Sequence, residues 1–122
     1  MRNLDTEIPR YRLIIEAQYR AEVDEKLIKE YLTDLTKELG MRPTSEVFIF
    51  SPNKGGNPLH HGLNGFIGWV ESGCHIYTWN QRRFLTVDIY CSKKIPTNKA
   101  LEVTRKAFDV MTMVHEEISP YD

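Results

Sequence analysis

The sequence predicts an α+β two-layer sandwich, a mainly antiparallel sheet with two helices on one face. Two observations carry this expectation. Five segments either alternate apolar and polar residues or form short apolar runs, as strands do, whereas two longer segments repeat apolar residues every three or four positions, as helices do. Their order is strand, helix, strand, then hairpin-linked strands, then helix, which suits helices layered on one sheet face. With 122 residues, 41% hydrophobic and 27% charged, the chain has the length and composition of one globular domain, 1–122.

Residues 1–10 are polar, contain Pro9 and read as an extended arm. Tyr11–Arg20 reads as a strand with Leu13, Ile15, Ala17 and Tyr19 on one face and Glu16, Gln18 and Arg20 on the other. Asp24 is placed as an N-cap, and Lys26–Leu39 follows as a helix whose apolar stripe is Ile28, Tyr31, Leu32, Leu35 and Leu39. Gly40 suits a left-handed helix end, and Pro43 blocks simple continuation. Val47–Phe50 is a short apolar strand. The stretch Ser51–Asn64, with Pro52, Gly55, Gly56, Pro58 and Gly62, predicts a long loop, a feature often tied to function.

Phe66–Ser72 and His75–Trp79 read as strands separated by Gly73, with Asn80–Arg83 as a polar turn. Phe84–Ser92 alternates: Leu85, Val87, Ile89 and Cys91 should meet the helices, while Phe84, Thr86, Asp88, Tyr90 and Ser92 face a site or partner. Pro96-Thr97 opens a last helix, Asn98–Ile118, with Ala100, Val103, Ala107, Val110 or Met111, and Val114 as its buried stripe and Pro120 as its end. The open sheet face is expected to carry Trp69, Tyr77 or Trp79, and Tyr90. So aromatic a face predicts packing on a second copy, a homodimer.

Sixteen Lys+Arg against seventeen Asp+Glu leave a charge of -1, which gives no general pull toward nucleic acid. No apolar run approaches the ~20 residues of a membrane helix, and the opening residues lack the apolar stretch of a signal peptide, so a cytoplasmic protein without membrane partners is expected. Two cysteines, Cys74 and Cys91, are too few for a disulfide framework and read as reduced thiols in or near the core. His60-His61 lacks a third ligand at a supporting spacing, so no metal is expected. Arg82-Arg83 and Lys93-Lys94 read as solvated strand ends that could also receive a substrate carboxylate.

The informative stretch is GLNGFIGWVESGCHIYTWNQRRFLTVDIYCS, from Gly62 to Ser92. It resembles the short, prokaryotic-type S-adenosylmethionine decarboxylases, whose pattern G-V-S-G, E-S-H-x-x-I-H-T-W-P-E and x-D-x-F-T-C matches without a gap at Gly62, Gly65, Glu71-Ser72, Ile76, Thr78-Trp79 and Asp88. With the flanking order of elements, the resemblance covers about Tyr11 to Ile118. It implies a small-molecule amino-acid substrate, S-adenosylmethionine in that family, whose decarboxylated product feeds spermidine synthesis.

The resemblance further implies that the chain cuts itself between Glu71 and Ser72. The Ser72 hydroxyl attacks the preceding carbonyl, and elimination then leaves a pyruvoyl group as the cofactor. Such a ketone condenses with a substrate amine and accepts the electrons left by decarboxylation, which no ordinary side chain can do. A strained turn favours the rearrangement by exposing the scissile carbonyl.

Three positions depart from the family pattern: Asn64 replaces a serine, Tyr77 a histidine and Ser92 a cysteine, groups that serve processing and proton delivery. Asn64 can polarise a carbonyl but not deliver a proton, Tyr77 can donate one, and Ser92 is a far weaker acid than a thiol. Cys91 is adjacent but points to the other strand face unless a bulge re-aims it. His75 shares Tyr77's face, either as a packing histidine or as a surrogate base. Trp79 can stack a substrate ring, and Asp88, Glu16 or Glu71 can anchor a basic amino acid such as ornithine or arginine. The departures equally suit a relative that keeps the fold, does not process and binds a small molecule or regulates an active paralogue.

Overall fold

The computed structural model describes residues 1–51 and 61–119. Six strands, β1 (Tyr11–Tyr19), β2 (Phe48–Phe50), β3 (Asn64–Trp69), β4 (Ser72–Trp79), β5 (Phe84–Cys91) and β6 (Val110–Ile118), form one antiparallel sheet in the order β2-β3-β4-β5-β1-β6. The helices α1 (Glu25–Glu38) and α2 (Thr97–Phe108) pack on one face of it, and a short 3-10 turn spans Asn80–Arg82. The expected α+β sandwich is thus the observed architecture.

The alternating residues of β1 and β5 do as their period requires. Leu13, Ile15, Leu85, Val87, Ile89 and Cys91 are buried with the α1 stripe of Ile28, Tyr31, Leu32, Leu35 and Leu39. Asp24 caps α1 by accepting the Leu27 N–H at 2.8 Å, and Gly40 leaves the helix at φ 68°. Two motif positions prove to be packing devices. A Cβ at Gly62 would lie 1.7 Å from the Thr78 carbonyl oxygen, and the buried Thr78 hydroxyl accepts the Leu63 N–H at 3.0 Å.

Three expectations are corrected. The last helix ends at Phe108, and residues Val110–Ile118 are the edge strand β6 paired with β1. Asp109 turns the chain at φ 50°, and its N–H caps the Arg105 carbonyl. The helix therefore buries Ala100, Leu101, Thr104 and Phe108, while Val103 and Ala107 are half-buried, and Val110, Met111 and Val114 are strand residues. The β3–β4 turn falls at Val70 and Glu71, so Gly73 sits within β4 opposite Gly68. That shift puts Trp69 on the helix face, buried, with its indole N–H donating to the Thr36 hydroxyl at 2.9 Å. Most of the predicted loop, including His60, and Pro120 lie outside the described residues.

Candidate active site

The Val70-Glu71 turn delivers Ser72 to the start of β4 with φ 138°. This is a region that favours glycine, so the serine carries backbone strain. Pairing with Trp69 on one side and Cys91 on the other holds it there. The carbonyl oxygen of Glu71, carried by the carbon bonded to the Ser72 nitrogen, accepts the backbone N–H of Ser92 at 2.7 Å. A fixed donor on that oxygen polarises the peptide carbonyl.

Glu71 is anchored as firmly by its side chain. It is 5% exposed, and its two carboxylate oxygens receive the backbone N–H of Arg42 at 2.9 Å and the Arg42 Nε at 2.8 Å. The Val70 N–H returns a bond to the Arg42 carbonyl at 2.8 Å. These donors, the Arg42 backbone N–H foremost, hold the Glu71 carboxyl below the usual carboxylate range although burial acts the other way. With its carboxylate so occupied, Glu71 is not free to anchor a substrate. Sequence reasoning missed Arg42, because no spacing links it to Glu71; the contact forms only after the chain turns at Gly40.

Ser72 lines a concavity of about 300 Å³ on the sheet's open face together with Phe66, His75, Asp88 and Tyr90. His75 and Asp88 are direct cross-strand partners in β4 and β5. The carboxamide oxygen of Asn64 meets His75 Nε2. The guanidinium of Arg12 covers the Tyr90 ring at 4.7 Å. The sequence-selected residues Ser72, His75 and Asp88 therefore all line this concavity, but Ser72 pairs with the buried Trp69 and Cys91 and so stands on the opposite face of the strand from His75 and Asp88.

The others stand apart. Tyr77 lies five residues along β4 from Ser72, roughly 17 Å at the usual rise of a strand. Its ring packs on Trp79 at 4.4 Å between centroids, and Trp79 on Phe84 at 5.4 Å. Ser92 reaches the site through its main chain, while its side chain is exposed beyond the end of β5. Glu16 lies on the open face of β1, opposite Thr86.

No bulge re-aims Cys91. It is wholly buried, its Sγ lies 3.7 Å from Met41 Sδ, and burial is the main cause that raises its thiol pKa. Cys74 is likewise a free, buried thiol. Arg83 is engaged with the Ala21 carbonyl at 2.8 Å and with Glu22, and Lys93 with the Gly40 carbonyl at 2.8 Å. These two basic residues tie connections together. Among the described residues no group of three metal-binding side chains occurs, and His61 lies 3.3 Å from the Gln81 amide.

Comparison with known proteins places this geometry. A family model described as S-adenosylmethionine decarboxylase matches residues 13–119. The crystal structure of the adenosylmethionine decarboxylase from Aquifex aeolicus VF5 superposes with a TM-score of 0.65 at 19% identity, over 91% of this chain and 89% of that one, a likeness of fold. No curated protein sequence matches the chain.

Proposed function

The chain belongs to the S-adenosylmethionine decarboxylase family, and from that premise we propose that it is a pyruvoyl-dependent amino-acid decarboxylase that cleaves itself between Glu71 and Ser72. The observation that carries this reading is the bond itself, a strained serine whose preceding carbonyl is held by the Ser92 N–H beside an open concavity.

The surroundings suit a group made from Ser72, because they combine strain, a polarised carbonyl and room. As the Ser72 hydroxyl attacks, negative charge gathers on the Glu71 oxygen, and the Ser92 N–H is already in place to receive it. Arg42 keeps Glu71 from following the movement. Breaking the peptide bond relieves the φ strain at Ser72, which offsets part of the cost of exchanging an amide for an ester. The resulting pyruvoyl carbonyl supplies an electron sink for the charge left when carbon dioxide departs from an amino acid.

In the concavity, Asp88 is the acidic group available to hold a substrate cation; the Tyr77–Trp79–Phe84 array lies farther along the sheet, outside it. The family's own substrate, S-adenosylmethionine, with a product used for spermidine, is the leading candidate, and ornithine or arginine the alternative. Carbon dioxide release from each decides among them.

The working form is a cytoplasmic homodimer. Phe48, Phe50, Phe66, Tyr90 and Val114 leave 40–60% of their surface uncovered on or beside the open face. A second sheet laid over that face covers them.

The competing reading is a relative that never processes, favoured by Asn64, Tyr77 and Ser92 in place of the family's serine, histidine and cysteine. Intact mass separates the two: fragments meeting at the Glu71–Ser72 bond support the enzyme, and a persistently whole chain the binding protein.

A further inference from the structure

On the helix side of the sheet, α1 and the chain that leaves it border a cleft of about 670 Å³. Met41, Val47 and Ile67 give it an apolar lining, and Lys29 and Lys37 stand along its α1 wall. The two lysines are eight residues apart, about two turns or roughly 12 Å along one helix face. Neither makes an ion pair among the described residues. Against them the described lining sets one carboxylate, Glu46, so the cleft is positive on balance. An apolar trough with a cationic wall suits an amphipathic anion, a hydrocarbon or aromatic body that carries a sulfonate, phosphate or carboxylate.

Both walls are tied to the β3–β4 turn. On the α1 wall, the Thr36 hydroxyl accepts the Trp69 indole N–H at 2.9 Å, and the Thr36 carbonyl accepts the Met41 N–H at 2.9 Å. On the other wall, the Ser45 hydroxyl accepts the Gly68 N–H at 2.8 Å, and Pro43 bridges to Trp69. Between Met41 and Pro43, Arg42 makes the two bonds that hold the Glu71 carboxylate. Residues 41–45 are therefore both a wall of the cleft and the strap on the turn at residues 70–71. A ligand shaped to the cleft as it stands favours the conformation in which the strap is fastened, and by linkage the fastened strap favours the ligand.

We propose that this cleft is a binding site for a small amphipathic anion, and that its occupancy and the Arg42–Glu71 clamp reinforce each other. The site lies across the sheet from the Ser72 concavity and stands whether or not the Glu71–Ser72 bond breaks.

The test titrates the full chain at low salt with 8-anilinonaphthalene-1-sulfonate, an aromatic anion whose fluorescence rises as it leaves water. The double variant Lys29→Glu/Lys37→Glu should bind it at least about 10-fold more weakly, having lost both charge-assisted contacts, whereas Lys29→Arg/Lys37→Arg should keep the affinity. Lys99→Glu/Lys106→Glu makes the same change of net charge on α2 and should stay within about 2-fold of the wild type, because distant exposed charges are screened. Arg42→Ala and Glu71→Gln change the charge in opposite directions but both weaken the clamp, so both should lower the affinity, Arg42→Ala by about 5-fold or more. A wild type that does not bind the probe overturns the site. So does an affinity unmoved by Lys29→Glu/Lys37→Glu, which puts the probe elsewhere, as on the exposed aromatic rings of the open face. Equal losses in the two Lys→Glu pairs also overturn it, since net charge alone then explains the binding. Affinities that rise in Glu71→Gln and fall in Arg42→Ala, or change in neither, overturn the coupling to the clamp.

Discussion

The backbone N–H of Ser92 donates a 2.7 Å hydrogen bond to the carbonyl oxygen of Glu71. The position where the family carries a cysteine thus touches the candidate scissile peptide through its main chain. Replacing that side chain alters the proton chemistry available near the site but leaves the carbonyl contact in place.

Ser92→Ala therefore fragments within a few-fold of the wild-type rate, whereas Ser92→Pro, which lacks the N–H, slows by about 100- to 1,000-fold, the usual effect of losing one such donor. Fragmentation rates by mass spectrometry check this, with circular dichroism to show that Ser92→Pro keeps its sheet.

Arg42→Ala is expected to slow fragmentation and lower the melting temperature at neutral pH, because it frees the Glu71 carboxylate and loosens the turn. The folded Glu71 pKa lies below its ordinary 4.5, so the stabilisation is complete above that value and is lost as pH falls through the folded value. Melting temperatures taken from neutrality to below pH 4.5 should fall more steeply for the wild type than for Arg42→Ala. Parallel curves contradict the clamp.

At Asp109, φ is 50°. Asp109→Gly should preserve or slightly raise stability, and Asp109→Val should lower it by about 1–2 kcal/mol. Chemical denaturation of the two variants measures the difference; equal stabilities contradict the left-handed joint between α2 and β6.

Much of the fold was legible because one face of each central strand is buried. In β1, Leu13, Ile15, Ala17 and Tyr19 are each at most 2% exposed, so the period of two shows clearly. The edge strand β6 was hidden for the opposite reason. Val114 is 60% and Met111 49% exposed, so its apolar residues obey no burial rule and imitate a helical repeat. Asp109 gives no breaker signal of its own, since Asp is tolerated in helices. Placing the turn at Gly73 rather than at Val70-Glu71 misassigned Trp69 to the open face. At the site, the motif picked out Ser72, Asp88 and the glycine at 62, while Arg42 and the main-chain role of Ser92 exist only through tertiary contact.

Val114→Arg should convert the proposed dimer to a monomer, because it sets a charge on the exposed half of the sheet away from Ser72. Sedimentation equilibrium should give twice the 14.3 kDa chain mass for the wild type and 14.3 kDa for the variant. Equal masses for both contradict face-to-face pairing.

The central claim is that the Glu71–Ser72 bond breaks by the chain's own chemistry. Time-resolved intact mass of the purified chain beside Ser72→Ala tests it most directly. The account predicts that the wild type yields fragments 1–71 and 72–122, the second blocked to Edman degradation, while Ser72→Ala stays whole. A wild type that keeps its single unmodified mass through prolonged incubation contradicts it.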